Sequence, residues 1–213
     1  MNNFANCNNT YTININNYGE ENLEMLHGNI KYNILDLEQV HSTLVREILP
    51  RKLADGNLLA RLRMCMLYYY ANRDNLMVMG TSNRSELLIG YFTKYGDGGV
   101  DILPIASLYK VQVKSLGKYL KLPDSILTKN IGPRLWTGHT VEKEIGMTYE
   151  EIDSILYYMF DLKQSPKSTA KKLSVPLKKV MKIKNMYENN MYEDISIELL
   201  NDKFINDSLN IDI

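Results

Sequence analysis

The hydrophobic pattern breaks the chain into short runs with two different periods. KYNILDL (31–37) is a compact run rich in Ile and Leu and predicts a buried strand. In LEQVHSTLVREIL (37–49) apolar residues recur at Val40, Leu44, Ile48 and Leu49, the spacing of a helix with one buried face, and Pro50 ends it. Gly56 opens GNLLARLRMCMLYYYAN, apolar on nearly all sides, which predicts a helix buried between layers with Tyr68, Tyr69 and Tyr70 in the core. NLMVMG (75–80) reads as a central strand, and Thr81 stands where it gives way to a helix over 85–92. The loop KYGDGGVD (94–101) leads to a helix over 106–120, stopped by Lys121-Leu122-Pro123. Thr148 and Glu151 form a capping box before a helix striped by Ile152, Ile155, Leu156, Met159 and Phe160. Strands alternating with helices imply a layered α/β fold with a mostly parallel sheet.

Composition limits what such a fold could do. Eight asparagines in residues 1–17 predict a flexible tail, and the last eighteen residues are polar. Across 213 residues, 25 Lys+Arg balance 25 Asp+Glu, which weighs against a chain that coats nucleic acid or sits on an anionic membrane. No apolar run is long enough to span a bilayer, and the first residues have no basic start or apolar core of a signal peptide. Cys7 and Cys65 are the only cysteines and lie in unlike contexts, so a reducing cytoplasm is the expected compartment.

In an open α/β sheet, ligands bind beyond the carboxyl ends of strands. The candidate chemistry therefore lies in GTSNRSELLIGYFTKYGDGGVDILPI (80–105), which gathers Thr, Glu, Lys, two Asp and several glycines. Glu86 falls on the first turn of the helix after the strand, where a carboxylate could hold Mg²⁺ against a phosphate. Asp97-Gly98-Gly99 offers a turn whose backbone can approach a ligand. Composition alone favours a plainer account, in which Glu86 complements a helix dipole and the glycines merely turn the chain. Neither a Walker A pattern nor GxGxxG occurs.

The run from GNLLARLRM through GTSNRSELLIGYFTKYGDGGVDILPI to SLYKVQV closely resembles NAD synthetase, an adenylating amide ligase of the ATP pyrophosphatase superfamily. FTKYGDGG is more similar to the ammonia-dependent branch than to the glutamine-dependent one. The resemblance implies a Rossmann-like α/β domain over 28–165, small C-terminal helices over 166–195, and polar tails at 1–27 and 196–213. It implies that ATP adenylates the nicotinate carboxylate of deamido-NAD⁺ and that ammonia then displaces AMP. Position by position, Arg61, Lys94 and Asp101 resemble contacts to deamido-NAD⁺, Thr81 and Lys110 resemble contacts to ATP, and Glu86 the magnesium ligand. A homodimer is implied too, with the dinucleotide site near its interface.

Three departures accompany the match. The family opens with a strand and an SGGxDS loop that grips pyrophosphate, whereas the only glycines before Gly56 here are Gly19 and Gly28. The match begins near NYGEENLEMLHGNIKYNILDL, so the sheet is expected to lack its first two strands, and the chain alone to lack full activity. In KNIGPRLWTGHTVEKEIG (129–146), Gly132 stands where the family has a Ser or Thr that touches ATP. Over 186–194, MYENNMYED has no counterpart of a C-terminal His-Lys pair that contacts the dinucleotide. Alternatives are an inactive fragment or decayed paralogue acting as a binding subunit, and a helix-turn-helix over 168–187 with a basic second helix for nucleic acid. Against the last, packing of two small helices on the core is the commoner outcome, and zero net charge leaves a weak electrostatic footprint.

Overall fold

The computed structural model describes residues 35–46, 51–128 and 140–190. These fall in two compact units, one running to Arg84 and resuming over Phe92–Gly146, the other joining Ser85–Tyr91 to the residues from Met147 onward. The tails at 1–27 and 196–213, and Gly132, lie outside the described residues.

In the first unit, α1 (Glu38–Val45) follows a non-repetitive stretch at 35–37, so the described end of the expected strand is not one; its first part lies outside the described residues. The expected buried face of α1 is also absent, since Val40 and Leu44 are about half exposed. Leu37, just before the helix, is the anchor: it is buried against Leu59, with Leu62 and Met66 packed alongside. α2 (Lys52–Asp74) starts four residues before Gly56. Asp55 explains the earlier start, because its carboxylate accepts the Arg51 N–H at 3.0 Å and satisfies a donor at the helix entry. Only Gly56, Leu59, Ala60 and Ala71 of α2 are buried, whereas Cys65 and Tyr69 are exposed. The helix therefore buries one side rather than all of them, and the tyrosine run is not core. Asn75 ends it in the left-handed region at φ 54°, its N–H bonded to the Ala71 carbonyl.

The expected strand at 75–80 pairs through an isolated parallel bridge between Met79 and Ile102. Gly80 N–H donates to the Ile102 carbonyl at 2.8 Å, and Asp101 N–H to the Val78 carbonyl at 2.9 Å. Val78 is buried while Met77 and Met79 are exposed, the alternation of a segment covered on one face. Gly80 is closely packed here: a Cβ would sit 2.6 Å from Leu103 Cδ2 and 2.7 Å from Val100 Cγ2, so those side chains would have to shift. α3 (Arg84–Ile89) stops at Gly90, φ 68°, short of the expected end at 92. α4 (Lys110–Tyr119) begins later than expected because Tyr109 is extended, with its N–H held by Gln112 Oε1 at 2.8 Å. Short helices α5 (Asp124–Leu127) and α6 (Val141–Ile145) follow, the latter capped by Thr140.

In the second unit, α7 (Tyr149–Leu156) opens on the expected capping box, Thr148 Oγ1 accepting the Glu151 N–H and Glu151 Oε2 accepting the Thr148 N–H. A π-helical turn (Tyr157–Asp161) extends it. Ile152, Ile155 and Leu156 are fully buried, Met159 is nearly so, and Phe160 packs on Tyr187 with ring centres 4.0 Å apart. α8 (Pro166–Leu173) has Ser165 as its cap and Pro166 in its first turn. A turn at Ser174 leads to α9 (177–190). Val180 and Ile183 on α9 are fully buried, Lys179 pairs with Glu151 at 2.6 Å, and Lys184 pairs with Glu188. Those features account for the α8–α9 pair as a packing element.

Candidate functional site

Helix α2 organises the candidate residues of the first unit. Arg61 and Tyr68 are seven residues apart, two helical turns, and so share a face roughly 10 Å along the axis from one another. Arg61 Nε donates to the Lys94 carbonyl at 3.1 Å, and the Tyr68 hydroxyl donates to Asp101 Oδ1 at 2.9 Å. The loop 94–101 is thereby laid along α2, which brings Arg61, Lys94 and Asp101 to one helix face. Lys94 Nζ lies 5.5 Å from the centre of the Tyr95 ring, within cation–π range. Asp101 Oδ2 accepts the Val78 N–H at 2.7 Å, so both carboxylate oxygens are engaged while the residue stays exposed.

The glycines of this loop serve its own packing. Cβ atoms at Gly96 and Gly98 would lie 2.9 Å from Thr93 and 2.7 Å from Phe92. Asp97 Oδ1 accepts the Thr93 N–H, and Thr93 Oγ1 donates to Asn57 Oδ1 of α2 at 2.7 Å. The residue in the left-handed region is Tyr95, φ 60°, not a glycine of the Asp97-Gly98-Gly99 turn. Thr81 is exposed just past the bridge, and Lys110 is half-buried as the first residue of α4. Arg84 N–H donates to the Leu108 carbonyl at 2.9 Å, and the Arg84 guanidinium lies 5.2 Å from the Tyr109 ring centre. The segment after Thr81 is thus tied to the segment before Lys110.

In the second unit, Glu86 occupies the first turn of α3, as expected. Tyr149, almost fully buried, points its hydroxyl at Glu86 Oε1 across 3.5 Å. Burial pushes the Tyr149 phenol far above its ordinary range, and the charges of Glu86, Tyr91 and Asp153 push it further. These influences favour the neutral phenol, which donates. Beside it, the Ser85 hydroxyl donates to Asp153 Oδ1 at 2.5 Å, both residues buried. No group of three or more His, Cys, Asp or Glu able to hold a metal occurs among the described residues. A single half-buried carboxylate such as Glu86 nevertheless suits Mg²⁺, which keeps waters and takes one or two carboxylates plus substrate phosphates.

Sequence reasoning missed Tyr68, Tyr149, Ser85 and Asp153. Asp153 carried a signal, being a carboxylate set next to Ile152 within an apolar stripe. Tyr68 carried none, because its partner lies 33 residues away.

The sequence model of the family described as NAD synthase matches residues 15–194. The NH(3)-dependent NAD(+) synthetase of Hyperthermus butylicus is 47% identical over 160 residues, which is 74% of this chain and 58% of that protein. That of Saccharolobus solfataricus is 46% identical over 164 residues, 76% and 59% of the two chains. The chain thus spans a little under three-fifths of these relatives. Among solved structures, NMN synthetase from Francisella tularensis superposes with a TM-score of 0.69 at 33% identity, over 85% of this chain and 74% of that one. NH3-dependent NAD synthetase from Campylobacter jejuni gives 0.65 at 28% identity, over 85% and 73%. The family match over most of the chain, together with these likenesses in sequence and fold, establishes that the chain belongs to the NAD synthase family.

Proposed function

We propose that the chain works in ATP-dependent amidation of deamido-NAD⁺ with ammonia, in the cytoplasm, as a homodimer or together with a complementing polypeptide. Its fold in this reading is a Rossmann-like domain with a mostly parallel sheet over 28–165, followed by small helices over 166–195. A nicotinate carboxylate oxygen attacks the α-phosphorus of ATP, an O–P bond forms and pyrophosphate leaves. Ammonia then attacks the acyl carbon, the C–N bond forms, and AMP departs as the nitrogen loses a proton.

In this reading Arg61, Lys94 and Asp101 hold deamido-NAD⁺. Thr81, Lys110 and Gly132 would contact ATP, and Glu86 would hold Mg²⁺. The ion supplies charge neutralisation on the phosphates. Lys94 and Arg61 bring fixed positive charge to a doubly phosphorylated substrate, and Asp101 brings an acceptor for its hydroxyl or N–H groups. The buried Tyr149 hydroxyl faces the Glu86 carboxylate from one side.

One observation supports the reading above others: two ties, Arg61 to Lys94 and Tyr68 to Asp101, gather the three dinucleotide candidates on a single face of α2. The test is calorimetric titration of ATP with and without Mg²⁺. The chain is expected to bind ATP more tightly with Mg²⁺, and Glu86→Gln to abolish that difference. Identical affinity with and without Mg²⁺ in the unmodified chain would refute the assignment of Glu86.

A further inference from the structure

The carboxylate of Asp101 is held at both of its oxygens. The residue is exposed, yet Tyr68 donates to Oδ1 at 2.9 Å and the Val78 N–H to Oδ2 at 2.7 Å. The Asp101 N–H returns a bond to the Val78 carbonyl at 2.9 Å, so backbone and side chain clasp the same residue. A free aspartate would lose rotamer freedom when a ligand captured it. Here that freedom is already gone. A carboxylate accepts about four hydrogen bonds, so each oxygen of this exposed residue keeps acceptor capacity.

Tyr68 is the part of this clasp that could have been otherwise. The Val78 N–H is main chain and present whatever the sequence, whereas the hydroxyl comes from a side chain on α2. Tyr69, its neighbour on the same helix, is exposed. The Tyr68 phenol is raised above its ordinary range, by burial first and then by its bond to Asp101 and the charge there. It therefore remains a donor through neutral and mildly alkaline pH.

We infer that Tyr68 is a positioning residue which, with the Val78 amide, presets the Asp101 carboxylate to accept a hydroxyl or N–H group of deamido-NAD⁺. The inference rests on the proposed role of Asp101 and adds a residue outside the set that touches substrate. A plain tether between α2 and the 101–102 segment is the competing account. A tether would affect stability and every ligand alike, whereas a positioning residue acts on one ligand and only through Asp101.

Calorimetry with deamido-NAD⁺ and with Mg·ATP on the full chain separates these accounts, using Tyr68→Phe, Asp101→Asn and the double variant. Tyr68→Phe is expected to weaken deamido-NAD⁺ about three- to tenfold, the range of one net hydrogen bond, and to leave Mg·ATP affinity unchanged. The double variant is expected to bind no worse than Asp101→Asn alone. Weaker binding in Asp101→Asn but unchanged binding in Tyr68→Phe would overturn the inference, as would losses that multiply in the double variant. Unchanged binding in Asp101→Asn, or none in the unmodified chain, would instead overturn the reading of Asp101 and the inference with it. Should Tyr68→Phe fail to fold, an alkaline difference titration of the unmodified chain against Asp101→Asn decides. One phenol is expected to titrate lower in the variant, and coincident curves would overturn the contact.

Discussion

The stripe of α7 and the Arg61–Tyr68 side of α2 are held in place by different means. Around α7, fully buried aliphatic side chains predominate, Ile152, Ile155 and Leu156 with Val180 and Ile183 of α9, beside the buried polar ties of Tyr149 to Glu86 and Ser85 to Asp153. Along α2 the ties are polar and cross long sequence distances, Arg61 to Lys94, Tyr68 to Asp101 and Asn57 to Thr93, over a modest buried line of Gly56, Leu59 and Ala60. Apolar burial is non-directional and scales with area, so it stabilises without aiming anything. Hydrogen bonds contribute less each but fix direction. A region that must present charged groups at set angles needs the second kind.

Substitutions in each region should therefore fail differently, and the largest effect belongs to the apolar stripe. Ile155→Ala is expected to cost about 2–5 kcal/mol by chemical denaturation, since its side chain has no exposure at all. Leu59→Ala should fall near the low end of that range, because Leu62 and Met66 beside it are only partly buried and can close the gap. An equal or larger loss for Leu59→Ala would break the contrast. Next in size, Thr148→Ala removes the cap of α7 and is expected to cost about 1 kcal/mol.

The smallest expected effect is the Lys179–Glu151 pair, whose side chains are about a third exposed. Its bond to Lys179 holds the Glu151 carboxyl below the usual carboxylate range. A carboxyl whose value is lower folded than unfolded adds stability above its unfolded value of 4.5 and loses it as pH falls through the folded value. Lys179→Met should therefore lower stability near neutral pH by at most about 1 kcal/mol, given solvent screening. In strong acid the two proteins should unfold alike.

The same division explains what could be read from the sequence. The α7 stripe and its Thr148–Glu151 box were legible because both are local patterns, set by helical period and by a spacing of three. Glu86 was legible as a first-turn carboxylate for the same reason. The start of α2 was misplaced because Gly56 looked like a break, when Asp55 bonding back to Arg51 begins the helix earlier. The buried face expected for α1 failed because Leu37, one residue outside the helix, takes the buried position. The tyrosines of α2 read as core because aromatics at helical spacing usually bury, and nothing local reveals that Tyr68 meets Asp101. Long-range polar ties have no sequence period.

The central claim is that α2 and the loop 94–101 form the dinucleotide-binding side of this chain. Calorimetric titration of deamido-NAD⁺ into the unmodified chain and into Lys94→Ala tests it most directly. The account predicts measurable binding that Lys94→Ala weakens by about 1–3 kcal/mol, as for a lost charge-assisted hydrogen bond, with no change in the unfolding midpoint. The same dissociation constant in both proteins would contradict it.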